Sequence, residues 1–158
     1  MLKELEYPFD SEYILKKSKS LKKKLLEDGS NRIEKKIAVF GGSTTHDVIR
    51  VMELFLLYQG ISPVFYESEY ARYWEDAMFG NEELDRFQPD IVYIHTSNRN
   101  ITYWPSAGCG EAEVEALLNQ QYEHFFSMWE HIRTVWNCPV IQNNICLLYT
   151  SPSPRDTR

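Results

Sequence analysis

A stretch of two glycines and three hydroxyl residues, GGSTT, directly follows the apolar segment IAVF. Its residue types suit three kinds of chemistry. The amides of Gly41 and Gly42 could bind an anion at the start of a helix, and the Ser43 hydroxyl could be a nucleophile. Alternatively, the stretch is only a tight turn in which Thr44 or Thr45 caps the next helix. It lacks the Gly-Lys-Ser/Thr of a P-loop and the third glycine of the dinucleotide-binding fingerprint.

A second polar cluster follows the apolar segment DIVYI and contains His95, Asn98, Arg99 and Asn100. A guanidinium beside two carboxamides suits a carboxylate or phosphate held in bidentate fashion. The same side chains could instead satisfy backbone groups of the loop. We predict Ser43 as a candidate catalytic residue. The predicted substrate-binding residues are Gly41, Gly42, Thr44, Thr45, His95, Arg99 and Asn100.

Both clusters follow segments with the apolar pattern of buried strands. Strands are predicted over residues 35–40, 62–68, 89–95 and 138–144, and helices over 47–59 and 111–135. One or two short helices, broken at Gly80–Asn81, are predicted within 70–87. Such alternation is typical of right-handed βαβ units, whose functional groups gather at the carboxyl ends of the strands. The predicted fold class is α/β: a three-layer α/β/α Rossmann-like domain with a mostly parallel sheet. An N-terminal helix that begins near Asp10 or Ser11 precedes it.

Other candidate ligands for a metal are sparse. His124 and His131 lie seven positions apart on the long predicted helix, each preceded by a glutamate. Two ligands without a third make a weak metal site, so no metal ligands are predicted. Cys109 and Cys138 do not form a C-x-x-C motif and are predicted to be reduced thiols.

The formal net charge of −6 is unevenly distributed. Residues 1–36 contain 10 Lys/Arg and 7 Asp/Glu, whereas residues 37–158 contain 7 and 16. The acidic body argues against a nucleic-acid partner. The basic block KKSKSLKKKLLED predicts an amphipathic helix packed on its neighbour, or else a contact with an acidic partner or lipid surface. No apolar run reaches the about 20 residues of a membrane helix, so we expect a cytoplasmic protein without membrane contact.

The end of the chain departs from this pattern. The string CLLYTSPSPRD, residues 146–156, resembles an in-frame translation of a transposase-based sequencing adapter. Thr157 and Arg158 follow it directly. We therefore expect residues 146–158 to be a non-native tail, and the native sequence to be truncated near residue 145.

Nearly all of the native part resembles the N-terminal domain of the FkbH-like proteins, which belong to subclass IIIC of the haloacid dehalogenase (HAD) superfamily. The resemblance lies in GGSTT, GISPVFYESEY, PDIVYIHTSNRN and CPVIQNN. It implies a Rossmann-like domain similar to Gly-Asp-Ser (SGNH) hydrolases, followed by a HAD domain. That second domain uses Mg²⁺ and an Asp-x-Asp pair in phosphatase chemistry, or in loading a glyceryl group onto an acyl carrier protein. This sequence contains no Asp-x-Asp.

The resemblance implies a domain organisation and a function. The expected divisions are an N-terminal helical extension (1–34), a truncated Rossmann-like/SGNH-like domain (35–145) and the tail (146–158). The implied function is a substrate- or carrier-positioning domain of a HAD-IIIC phosphatase or of a phosphoryl- or glyceryl-transfer enzyme. The chain would be inactive alone and without a cofactor of its own. Its partners would be its own HAD domain and an acyl carrier protein or small phosphorylated substrate.

Two alternative functions remain open. The first is an SGNH-type hydrolase that uses Ser43 and Asn98, because residues 96–99 (TSNR) resemble the Gly-x-Asn-Asp block of that family. However, Gly42 replaces the aspartate of the Gly-Asp-Ser block, and the sequence contains no Asp-x-x-His to supply a base. The second alternative is a docking module without catalytic activity.

Overall fold

The computed structural model describes residues 2–145, and the tail predicted from residue 146 onward lies outside them. Four strands form one sheet in the order β2-β1-β3-β4, and every neighbouring pair is parallel. The strands are β1 (Ile33–Gly41), β2 (Ile61–Glu67), β3 (Ile91–His95) and β4 (Val140–Gln142). The helices are α1 (Ser11–Glu27), α2 (His46–Tyr58), α3 (Tyr73–Phe79), α4 (Glu82–Phe87) and α5 (Glu111–Trp136).

This architecture confirms the predicted α/β class, the parallel sheet and the N-terminal helix. Local chemistry sets the boundaries. The carboxylate of Asp10 caps α1 by accepting a hydrogen bond from the amide of Tyr13 at 2.9 Å. Asn81 caps α4 through the amide of Leu84, and Gly80 adopts a positive φ of 61°, so two short helices form between residues 70 and 87, separated at the predicted break.

Two strands are shorter than predicted. β3 begins at Ile91 rather than at residue 89, because Pro89 has no amide hydrogen to donate. β4 covers Val140–Gln142 only, because the next residue, Asn143, turns its side chain toward the backbone of Thr96. The predicted strand over 138–144 is therefore wrong at both ends.

Helices cover the sheet on both faces. Ala38, Phe40, Val92 and Ile94 point to one face and pack in a single cluster with residues of α3, α4 and α5. Ile37 and Val39 alternate with them along β1 and are buried on the opposite side, where α2 contacts β2. A second cluster joins α1 to α2 through one isoleucine and four leucines: Ile14, Leu21, Leu25, Leu54 and Leu57. A central parallel strand buried on both faces explains the continuous apolar run IAVF.

A buried arginine holds the ends of α1 and α2 together. The side chain of Arg32 is 8% exposed and donates to the carbonyl oxygens of Leu57 at 3.0 Å and Leu25 at 2.6 Å. It also pairs with the carboxylate of Asp28 at 2.9 Å. The hydroxyl and amide of Ser30, together with Arg32, lower the pKa of Asp28 to about 2. Within residues 2–145, no helix is both long and apolar enough to cross a membrane.

We expect Arg32→Ala to lower the free energy of unfolding by about 2 kcal/mol, because two helix-end carbonyls lose a buried charged donor. Urea unfolding followed by circular dichroism measures this change. Arg86→Ala is the matched control: its side chain is 78% exposed and pairs with Glu82 on the same helix. That variant should change the free energy by less than about 0.5 kcal/mol. Equal stability of the two variants would contradict the bridging role of Arg32.

Candidate functional site

The carboxyl ends of β1 and β3 bring the two predicted polar clusters together. Gly41 lies opposite His95 in the parallel register. The amide of Gly42 donates to the carbonyl oxygen of His95 at 2.8 Å. GGSTT and the segment after β3 therefore meet at one edge of the sheet, as expected for loops at the carboxyl ends of neighbouring parallel strands.

Asn100 connects the two loops directly. It ends a short 3₁₀ helix, Asn98–Asn100, and its Nδ2 donates to the carbonyl oxygen of Gly42 at 3.2 Å. Its Oδ1 accepts from the amide of Ser97 at 2.9 Å. A Cβ placed on Gly42 would overlap the carboxamide of Asn100. Any larger residue here would displace the Asn100 side chain, so the loop as folded has no room for the aspartate of a Gly-Asp-Ser block.

The other side of GGSTT is held by the end of β2. The hydroxyl of Thr45 donates to Oε1 of Glu67 at 2.6 Å, and Oγ of Ser68 accepts from the amide of Gly41 at 3.0 Å. Thr45 occupies the N-cap position of α2, but its side chain makes no capping hydrogen bond. The expected capping hydrogen bond from a threonine side chain is therefore wrong for Thr45, because its hydroxyl is hydrogen-bonded to Glu67 instead. Thr44 is exposed.

The amides of Gly41 and Gly42 are thus already engaged by protein acceptors. Neither is free to bind an anion in this conformation. An anion at this edge would rely on side chains and on amides further along the turn. The three hydroxyl residues after the glycines lie on this turn, and the last of them, Thr45, is the N-cap residue of α2.

The remaining predicted residues differ in what they contact. Ser43 is half-buried, and no base is hydrogen-bonded to its hydroxyl within the described part of the chain. Nδ1 of His95 lies 3.2 Å from the hydroxyl of Tyr93. Oδ1 of Asn98 is buried without a hydrogen-bond partner among the described residues. Arg99 is exposed, and no carboxylate of residues 2–145 lies within salt-bridge distance of it.

The buried unpartnered acceptor of Asn98 is informative because folded proteins normally satisfy buried polar atoms. The exposed guanidinium of Arg99 is accessible to a ligand. Here the two groups are neighbours in sequence, on the loop that contacts Gly42 through Asn100. They are the polar groups at this edge that a ligand could satisfy. The structure therefore brings Gly41, Gly42, His95 and Asn100 into contact, and leaves Asn98 and Arg99 available beside them.

The positioning groups behind the loop are not among the predicted site residues. Asn143 brackets the backbone of Thr96, accepting from its amide and donating to its carbonyl oxygen, both at 2.8 Å. Gln142 donates to the hydroxyl of Thr96 at 2.9 Å and accepts from Nε1 of Trp129 at 2.6 Å. Oε1 of Gln121 accepts from the amide of Thr102 at 2.8 Å. In the sequence, the polar triplet QNN at the end of an apolar strand marks Gln142 and Asn143. No sequence pattern marks Gln121.

His124 of α5 has a packing contact rather than ligand geometry. His124 stacks on Trp74 with ring centroids 3.8 Å apart and an interplanar angle of 12°, and burial lowers its pKa. Within residues 2–145, no group of three or more His, Cys, Asp or Glu side chains is arranged to hold a metal ion. Cys109 and Cys138 are free thiols in the same part of the chain.

Comparison with known proteins gives one structural likeness. No protein-family model matches the chain, and no curated protein matches it. A crystal structure of the N-terminal part of the protein BF1531 from Bacteroides fragilis, which contains a phosphatase domain complexed with Mg, is similar in fold, with a TM-score of 0.63. The sequence identity is 14%, and the match covers 89% of this chain and 35% of that chain. The present chain thus corresponds to about a third of the solved one.

We expect Gly42→Ala to destabilise the protein by about 1–3 kcal/mol, because the added Cβ displaces the Asn100 carboxamide. Gly108→Ala is the control, since a Cβ there meets nothing within 4 Å, and should cost less than about 0.5 kcal/mol. Adding Asn100→Ala to Gly42→Ala should cost less than the sum of the two single changes, because the removed carboxamide makes room. Strictly additive free energies of unfolding would count against the contact.

Proposed function

We propose that this chain is the N-terminal, substrate- or carrier-positioning domain of a FkbH-like, HAD-IIIC phosphatase or of a related phosphoryl- or glyceryl-transfer enzyme. The observation that carries the proposal is the fold similarity, over 89% of the chain, to the N-terminal part of a protein that contains a phosphatase domain. The motifs GGSTT and PDIVYIHTSNRN support it independently, because the likeness rests on backbone geometry and the motifs on residue identity.

The proposal divides the chemistry between two parts of a longer protein. Phosphoryl transfer of the HAD type requires an aspartate nucleophile and a second aspartate as acid/base, and Mg²⁺ to neutralise the phosphoryl oxygens. This chain contains no Asp-x-Asp. Mg²⁺ and catalysis would therefore belong to the HAD domain, and this chain would hold a small phosphorylated substrate or an acyl carrier protein close to it.

The carboxyl edge of the sheet offers a suitable anion site. The guanidinium of Arg99 can donate two parallel hydrogen bonds to a phosphate or carboxylate. The neighbouring Asn98 has a buried acceptor, Oδ1, without a partner, and a hydroxyl group of the ligand could donate to it. Asn100 fixes this loop against Gly42, so that the hydroxyl of Ser43 lies on the adjoining turn. In this arrangement Ser43 binds rather than attacks.

The test is a titration of the ¹⁵N-labelled chain with inorganic phosphate and with 3-phosphoglycerate. We expect the amides of Ser43, Asn98 and Arg99 to shift, and Arg99→Ala to weaken binding about tenfold through loss of a charged hydrogen bond. The matched control is Arg86→Ala, on α4 and paired with Glu82. Equal affinities of the two variants, or shifts confined to the lysines of α1, would contradict the site.

A second measurement separates positioning from catalysis. The chain alone, with added Mg²⁺, is expected to release no phosphate from p-nitrophenyl phosphate above background, because it lacks the aspartate nucleophile. It should likewise not hydrolyse p-nitrophenyl acetate, because Ser43 has no base. Ester hydrolysis that is lost in Ser43→Ala and kept in Ser127→Ala, an exposed serine on α5, would establish the hydrolase alternative instead.

A further inference from the structure

One side of α5 carries an exposed apolar row that no described residue covers. Leu118, Tyr122 and Phe126, here called the α5 stripe, are 65%, 52% and 40% exposed. Their spacing of four residues places them along one side of the helix. The rings of Tyr122 and Phe126 stack at 5.7 Å. The core-facing side of α5 is a different one, formed by Gln121, Phe125, Met128 and Ile132.

The first half of α5 lies outside the core. Residues 111–120 contain no buried side chain, whereas the buried positions begin at Gln121. A helix gains most of its stability from packing an apolar side against a neighbour. The first half of α5 is therefore unsupported, and the exposed apolar row begins within it at Leu118 and continues through Tyr122 and Phe126. An exposed apolar row on such a helix indicates a protein partner.

Two charges that flank the stripe favour a second copy of this chain as the partner, and one of them, Arg133, also pairs with Glu130 of its own helix at 3.4 Å. Glu111 precedes Leu118 by seven residues and Arg133 follows Phe126 by seven, so both lie on the side of the stripe. Each is eleven positions from Tyr122, in opposite directions. A second α5 that runs antiparallel, with Tyr122 facing Tyr122, would place Leu118 against Phe126 and Glu111 against Arg133. A parallel arrangement would instead place glutamate against glutamate.

The surface beside Arg133 has room for such a partner. A groove of about 500 Å³ is lined by Trp129, Arg133, Pro139, Val140 and Gln142. It follows the outer edge of β4, with which no strand of residues 2–145 pairs. The first half of an antiparallel α5 would lie over this groove, with its Glu111 toward Arg133. The apolar row, the charges and the groove are thus continuous on one side of the molecule.

We infer that the α5 stripe is the interface of an antiparallel dimer of this chain, with Tyr122 on the two-fold axis. Self-complementarity is the requirement of a two-fold interface, in which the same patch serves both subunits. The α5 stripe meets this requirement because Tyr122 would face its own copy and the contact between Leu118 and Phe126 would form twice. The flanking ion pair between Glu111 and Arg133 would also form twice. This surface is separate from the carboxyl-edge site and does not depend on the proposed function.

Sedimentation velocity over about 1–100 µM tests the dimer. The expected result is a concentration-dependent species of twice the 18.7 kDa chain mass. Tyr122→Glu places two carboxylates on the axis and should weaken association at least about tenfold. The control is Phe79→Glu, because Phe79 is 81% exposed on α3, and it should leave association unchanged. Circular dichroism checks that both variants are folded.

A charge exchange tests the antiparallel register itself. Glu111→Arg and Arg133→Glu should each weaken the dimer roughly fivefold through two like-charge contacts, and the double variant should recover wild-type affinity. Failure of that recovery would overturn the register. A wild-type chain that stays monomeric over the whole concentration range would overturn the dimer and assign the stripe to another partner, such as a further part of a longer protein.

Discussion

The burial of β1 on both faces is the constraint on which the other elements depend. Ile37, Ala38, Val39 and Phe40 are each 4% exposed or less. Since successive side chains of a strand point to opposite faces, helices must cover both sides. The helices α3 to α5 do so on one side and α2 on the other, with α1 packed behind α2. β2 and β3 then pair with the two edges of β1.

The same central position makes the end of β1 the meeting point of three loops. The amides of Gly41 and Gly42 donate to Ser68 and His95, and the carbonyl oxygen of Gly42 accepts from Asn100, so partners at or after the ends of β2 and β3 hold the turn. A turn held from both sides keeps its shape without a ligand, and its fixed conformation lowers the entropic cost of binding one. Oδ1 of Asn98 and the guanidinium of Arg99, which have no partner among the described residues, are then held at a fixed edge of the sheet rather than on a mobile loop.

The sequence predicts those parts of the structure that repeat or that act locally. Apolar runs located β1, β3, α2 and α5, and Asp10 and Gly80–Asn81 marked a helix start and a break, because capping and positive φ are decided within a few residues. Contacts between residues far apart in the chain leave no such pattern. Arg32 reaches Leu57 and Asn100 reaches Gly42, and neither pair could be found by periodicity. The roles of Ser43 and Asn98 and the division at residue 34 stay predictions.

A single turn of α5 contacts the carboxyl-edge site on one side and carries the centre of the α5 stripe on the other. Gln121 is 8% exposed and holds the amide of Thr102, which follows the loop of Asn98–Asn100. The next residue, Tyr122, is the centre of the exposed stripe. Gln121 is also where α5 leaves the core, so the stability of this turn depends on packing from one side only. A partner that packs on Tyr122 would therefore also restrain Gln121, and through it the backbone of the loop that carries Arg99.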